Sequence, residues 1–221
     1  MAWTIVAHIG AMSTDGASVT TPAIDTRNSD LIVLGCTTAA GTAAAPTDSA
    51  SNTWTQIQQT NNGSGVRGTL LYKAQPAVSQ THTFTLSPGA NNFPCICVLA
   101  VSGSKTTPLD QNNATASVAG GSKQPGSITP TQAGELIVSY ETTGGLSITF
   151  SIDSGFTISD QNPGANLASF CNAMAYLAQG AAAPINPTWT ITGSPNSNNA
   201  CLIASFLQLV TGGFDIHRLY A

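Results

Sequence analysis

The chain is short of charge. Only 7% of its 221 residues are Asp, Glu, Lys or Arg, six of them basic and ten acidic, where an ordinary domain carries about 25%. Lys occurs three times and Glu twice. That scarcity excludes a helical bundle or coiled coil, which is built from Ala, Glu, Lys, Leu and Arg. No basic run exists, so phosphate neutralisation cannot drive binding to nucleic acid. No apolar run approaches 18 residues, so no membrane-spanning helix is expected. The first residues, Met1-Ala2-Trp3-Thr4, hold neither a basic region nor an apolar core. No secretory signal is therefore expected, and synthesis in a reducing cytoplasm follows. Disorder is also excluded, because 42% apolar residues at a net charge of −4 can bury a core.

Catalytic signatures are missing too. His8, His82 and His217 are isolated in sequence. There is no Gly-x-Ser-x-Gly elbow, no Cys/His cluster with zinc spacing and no phosphate-binding loop. Glu135 and Glu141 share strand parity but stand about 20 Å apart, too far for a glycosidase pair, which wants about 5–10 Å. They read as strand-end or solvated carboxylates. Asp48-Ser49 with Asn52, and Asp153-Ser154, each offer one carboxylate, too few for calcium. No metal, no cofactor and no enzymatic activity are expected. Cys36, Cys95, Cys97, Cys171 and Cys201 are odd in number, lack a Cys-x-x-Cys pair and mostly sit in apolar stretches. They read as buried free thiols.

What the chain has instead is Ser, Thr, Asn and Gln, 77 residues in all, with 21 Gly and 12 Pro as punctuation. Apolar residues recur at period two. Strands are expected over Trp3–Gly10, Asp30–Thr38, Thr53–Gln59, Thr69–Gln75, Thr81–Ser87 and Cys95–Ser102. A second set follows: Glu135–Thr142, Ser147–Ile152, Ser169–Gln179, Thr188–Thr192 and Cys201–Leu209. Thr on outward strand faces keeps the surface wet without charge, since its hydroxyl hydrates and its β-branch suits a strand.

The two sets match. Asp30-Leu31-Ile32-Val33 corresponds to Glu135-Leu136-Ile137-Val138, and Thr37-Thr38 to Thr142-Thr143. Tyr72-Lys73-Ala74-Gln75 corresponds to Tyr176-Leu177-Ala178-Gln179, Thr83-Phe84-Thr85 to Thr188-Trp189-Thr190, and Cys97-Val98-Leu99-Ala100 to Cys201-Leu202-Ile203-Ala204. Every offset is 104 or 105, which points to an internal duplication. The repeat also reads 169–179 as a strand, although Leu167, Phe170, Cys171 and Met174 fit helical spacing. The fold expected is all-β, an antiparallel β-sandwich of about 10–12 strands from two duplicated halves. Residues 1–210 form one domain, with pseudo-repeats at 20–103 and 127–209 joined by a crossover over 103–127.

Trp54 and Tyr72 are the aromatic residues best placed to stack on a sugar, with core packing as the plainer reading of each. The tail 211–221 follows a Gly-Gly hinge and carries Phe214, Ile216, Leu219 and Tyr220. So apolar an end either folds back on its own domain or docks on a neighbouring subunit.

Asp48…Asn52-Thr53-Trp54-Thr55, Leu71-Tyr72-Lys73-Ala74, Thr81-His82-Thr83-Phe84-Thr85 and Cys97-Val98-Leu99-Ala100-Val101-Ser102-Gly103 with Pro108-Leu109-Asp110 form a pattern. It resembles a loose group of uncharacterised β-sandwich proteins from phage genomes and bacterial surfaces. Ser127-Ile128-Thr129-Pro130…Ala133-Gly134-Glu135-Leu136 continues the likeness. The resemblance implies a jelly-roll or concanavalin-like sandwich and no catalytic residue. Together with the missing signal it leads to the expectation of a virion protein, either capsid decoration, head fibre or tail-associated. Its partners would be other virion proteins and copies of itself. The alternative is a lectin-like module that binds a glycan for attachment.

Overall fold

The computed structural model describes residues 2–14, 16–61, 63, 65–117, 123–164 and 170–209, with backbone alone at 196–197. The described residues form thirteen β-strands and no helix, hence no helix long and apolar enough to cross a membrane. The fold is an antiparallel β-sandwich. In chain order the strands are β1 (Thr4–Met12), β2 (Val19–Thr20), β3 (Leu31–Ala39), β4 (Thr47–Asp48), β5 (Thr55–Asn61), β6 (Val66–Ala74) and β7 (Phe84–Leu86). Then come β8 (Cys95–Ser102), β9 (Ser104–Ser117), β10 (Leu136–Ile152), β11 (Thr157–Asn162), β12 (Phe170–Ala178) and β13 (Trp189–Gln208).

Two five-stranded sheets carry the fold, ordered β1-β8-β3-β6-β5 and β9-β13-β10-β12-β11. The second order repeats the first, strand for strand, and so do the registers. Leu31 pairs with Val101 and Ala74; Leu136, 105 positions later, pairs with Phe206 and Ala178. Even the bulges recur, between Gln56 and Gln58 in β5 and between Ile158 and Asp160 in β11. The sheets stack face to face with β1 over β11 and β5 over β9, the contact pattern of an approximate two-fold axis.

Between them lies a shared core of Leu31, Val33, Leu70, Leu99 and Val101 from one sheet and Leu136, Val138, Tyr140, Leu202 and Phe206 from the other. Each large sheet is covered on its outer face as well. The small sheet β2-β7-β4 lays Val19, Phe84 and Leu86 on Ile32, Leu34, Ile96 and Val98. In the second half the ends of β10 and β13 supply that cover. Ile148, Phe150, Trp189 and Ile191 pack on Cys171, Ala173, Ala175 and Cys201. Double coverage explains the unbroken apolar runs of β3 and β8, whose side chains are buried on both faces.

Three expectations need correction. The crossover over 103–127 is largely strand: Ser104–Ser117 forms β9 and pairs with β13. It is an edge strand with one half-covered face, so its sequence shows little apolar period. The expected strand pairs 135–142 with 147–152, and 188–192 with 201–209, are two continuous strands, β10 and β13. Both are irregular from the Gly145 (φ 148°)–Pro195 pair to Gly193 (φ 103°), which lies in the register shift between Leu146 and Thr149. The short β2 and β4 and the polar β11 had no counterpart in the expected strands.

Candidate functional site

Asp48 ends β4 and organises the loop that follows. Its carboxylate accepts hydrogen bonds from Ala50 N (2.8 Å), Asn52 N (3.2 Å to the nearer oxygen), Asn52 Nδ2 (3.1 Å) and His82 Nε2 (2.9 Å). Those donors occupy the oxygens that a cation would need. Asn52 carries the link onward, exchanging bonds with the backbone of Ala77 at 2.9 and 2.8 Å. His82 Nδ1 faces Thr26 Oγ1 at 2.8 Å. The His82 ring stacks on Phe84 (centroids 4.3 Å apart), and Phe84 lies 6.0 Å from the Trp54 ring.

An Asp–His–Thr line has the outline of a nucleophile relay. Here the Thr26 hydroxyl is held by the backbone of Ser79 on both sides, at 3.1 and 3.2 Å. The side chains of Asp48 and His82 and the whole of Thr26 have no exposure to solvent. No substrate reaches them, so the line acts as a clamp between loops.

The clamp supports a surface depression of about 420 Å³. Half-buried Trp54 and buried Leu71 and Pro46 form its floor, with Asn52, Thr53 and Gln56 at the rim. An indole face bordered by amide and hydroxyl groups is the chemistry that accepts a sugar ring. Tyr72 does not join it. Its ring packs against Phe206 (5.9 Å) in the core between the large sheets, on the opposite face of the first sheet from Trp54. Phe214, Ile216, Leu219 and Tyr220 lie outside the described residues.

A second depression, about 570 Å³, runs beside edge strand β1, between Ile5, His8, Ile24 and Tyr176. His8 Nδ1 lies 2.9 Å from Asp160 Oδ2 across the seam between the sheets. Burial raises the Asp160 carboxyl above its ordinary range, and His8 opposes the rise. No sequence pattern marks this seam, because β1 and β11 meet only through the stacking of the sheets.

Glu135 is a strand-end carboxylate, immediately before β10, as expected; but neither glutamate is solvated and Glu141 is not at a strand end, which corrects the sequence reading. Glu135 is buried and accepts from Gln132 N at 2.8 Å. Glu141 is fully buried in mid-strand on the outer face of the second sheet. Burial pushes its carboxyl well above the usual range, against the pull of Cys201, Lys123 and Asn199. The five cysteines are free and buried. Among the described residues no group of three or more His, Cys, Asp or Glu side chains is placed to hold a metal.

No protein-family model and no curated protein matches the chain. Among solved structures, the crystal structure of PBSX exported protein XepA aligns over 92% of this chain and 86% of its own. The identity is 13% and the TM-score 0.23. A likeness at that score establishes neither a shared fold nor a shared role.

Proposed function

We propose that the chain is a non-enzymatic structural subunit of a phage particle. It would be a capsid-decoration, head-fibre or tail-associated protein that assembles with copies of itself and with other virion proteins. The observation that carries this reading is the double coverage of both large sheets. It gives a stiff body whose exterior is hydroxyl and amide rather than charge. Three of its ten acidic groups, Asp48, Glu135 and Glu141, are buried as well, so the surface is more neutral than the composition suggests. Such a surface steers partners weakly and suits permanent, crowded contact. Contacts of this kind depend little on salt. Mass spectrometry of purified particles, with antibody labelling to locate the chain, tests the reading. Stoichiometric presence supports it; absence from the particle overturns it.

The cavity at Trp54 favours a second reading, glycan binding for attachment. A glycan array on the purified chain, followed by titration of Trp54→Ala, tests it. No hit on the array, or unchanged binding in the variant, removes it.

A further inference from the structure

On the outer face of the second large sheet, three functional groups meet. Glu141 stands opposite Cys201 in the β10–β13 pairing, and Asn199 lies two positions along β13 on the same face. Ser117 of β9 stands directly opposite Asn199. Lys123 crosses above them, pinned by its backbone to Trp189, and its Nζ donates to Ser117 Oγ at 3.0 Å. Directly opposed antiparallel residues have Cα atoms about 4.5–5.5 Å apart, so the ammonium is within a side chain's reach of the Asn199 carboxamide.

Both acceptor residues are sealed from solvent, Glu141 at 0% exposure and Asn199 at 1%. Neither oxygen of Glu141 and neither polar atom of the Asn199 amide has a hydrogen-bond partner. The amide and the Cys201 thiol crowd the carboxyl without satisfying it. Four unsatisfied polar atoms in one buried spot are a heavy burden for a site with only a packing role. The first half has no such trio: Cys36 holds the place of Glu141, and Pro94 that of Asn199.

We propose that Lys123 and Asn199 are joined by an intramolecular isopeptide bond, which the folded chain forms itself with Glu141 as proton carrier. The Glu141 carboxylate first takes a proton from the Lys123 ammonium, leaving a neutral amine and a neutral carboxylic acid. The Nζ lone pair adds to Cγ of Asn199, and the carbonyl electron pair moves onto Oδ1. The tetrahedral carbon then collapses, the carbonyl re-forms and the Cγ–Nδ2 bond breaks. Glu141 gives its proton to the departing nitrogen and takes the surplus proton from Nζ, so it ends as the acid. An amine and a carboxamide become a secondary amide and one ammonia. No oxidant, metal or cofactor is consumed. Burial raises the Glu141 carboxyl well above the ordinary carboxylate range, which favours its taking the ammonium's proton and carrying it at neutral pH. The fold supplies the proximity that makes so slow a reaction feasible. This is a single self-modification, not turnover, and it welds the covering segment at Lys123 to the large sheet beneath.

Intact-mass spectrometry of the isolated, folded chain tests the proposal, independently of whether the chain occurs in a particle. The expected mass is that of the sequence less one ammonia, and digestion yields a branched peptide linking Lys123 to Asn199. Lys123→Arg, Asn199→Ala and Glu141→Gln each restore the uncross-linked mass. Lys123 is only half-buried, so Lys123→Arg remains the folded reference if Glu141→Gln fails to fold. Full sequence mass in the folded wild-type chain after incubation at neutral pH overturns the proposal. So does an ammonia loss that persists in Lys123→Arg, as succinimide formation at Asn62-Gly63 would give.

Discussion

Thr37 and Thr142 hydrogen-bond to each other at 2.8 Å in the buried space between the two large sheets, and they are 105 positions apart. They are therefore the same residue of the two halves, meeting at the approximate two-fold axis. The contact is one link in a directional chain. Asn162 Nδ2 donates to Asn172 Oδ1 (2.6 Å), and Asn172 Nδ2 donates to Tyr140 OH (2.7 Å). Tyr140 OH lies 2.6 Å from Thr37 Oγ1, which donates to Thr142, and Thr142 donates to the Cys171 carbonyl at 2.8 Å. Every link has a donor and an acceptor, which a buried polar network requires.

Breaking this chain at Tyr140 removes two bonds and strands a buried group on either side. Tyr140→Phe leaves Asn172 Nδ2 without an acceptor and Thr37 Oγ1 without a donor, and should lower stability by about 1–3 kcal/mol. The effect should couple to Thr37→Val, because that variant removes the adjoining link. A double-mutant cycle by urea denaturation measures the coupling. Strict additivity would show that the chain does not act as a unit.

Gly35 is the two-fold counterpart of Tyr140, and the two face each other across the axis. A Cβ on Gly35 would collide with the Tyr140 ring and come within 2.9 Å of Met174 Cε. Gly35→Ala should destabilise by about 1–3 kcal/mol or more, as overpacking does. Gly41, with open space around it, is the control; Gly41→Ala should shift stability by no more than about 0.5 kcal/mol. Equal denaturation midpoints for the two variants would contradict the packing described.

The central strands were legible because each half's strands repeat, and because two-sided burial writes apolar residues at successive positions, as in Leu31-Ile32-Val33-Leu34. The edge strands were not. Ser104–Ser117 and Thr157–Asn162 cover one face only in part, so Asp110, Asn112, Asp160 and Gln161 sit where a period-two pattern would show. Glu141 misled for a different reason. A charge on a strand normally marks a wet face, yet the offset of 105 aligns it with Cys36, a buried position. The repeat held the signal that the residue type concealed. Trp54 and Tyr72 were both marked by aromatic chemistry, but only the sheet tells that they stand on opposite faces.

Glu141 should leave a trace in the pH dependence of stability, read in the Lys123→Arg background where no cross-link forms. Its folded-state pKa lies well above the ordinary 4.5, because burial disfavours the charge. The folded chain therefore keeps a proton that the unfolded chain gives up. The stability from this group is full below the unfolded pKa and is lost as pH rises through the folded one. Urea midpoints of Lys123→Arg should fall as pH rises from acid to mildly alkaline. Lys123→Arg with Glu141→Gln should lose that slope. Parallel profiles would show that Glu141 is not ionising in a buried site.

The thiols give a simpler check. Burial raises all five thiol pKa values, that of Cys171 to about 12, and no thiol is exposed. Thiolate is the reactive form, so the folded chain should resist iodoacetamide at mildly alkaline pH, and all five should react once urea unfolds it. Fast labelling of any one in the folded chain, located by peptide mapping, would place that cysteine at an accessible surface.

The pairing of Gly35 with Tyr140 makes the two halves a lock and a key rather than interchangeable copies. Divided after Gly103, each fragment exposes the inner face that the other normally covers: Leu31, Val33 and Leu99 in one, Leu136, Val138 and Leu202 in the other. Self-pairing about the two-fold axis serves neither. Two second halves would bring two Tyr140 rings into one space, and two first halves would leave a void where a ring belongs. A void costs about 24 cal/mol per Å³, and an overfilled core costs as much by strain. Fragments 1–103 and 104–221 should aggregate when refolded singly and form a one-to-one complex when refolded together, as native mass spectrometry would show. If fragment 1–103 forms a homodimer as stable as the mixed complex, the Gly35–Tyr140 fit does not decide which half pairs with which.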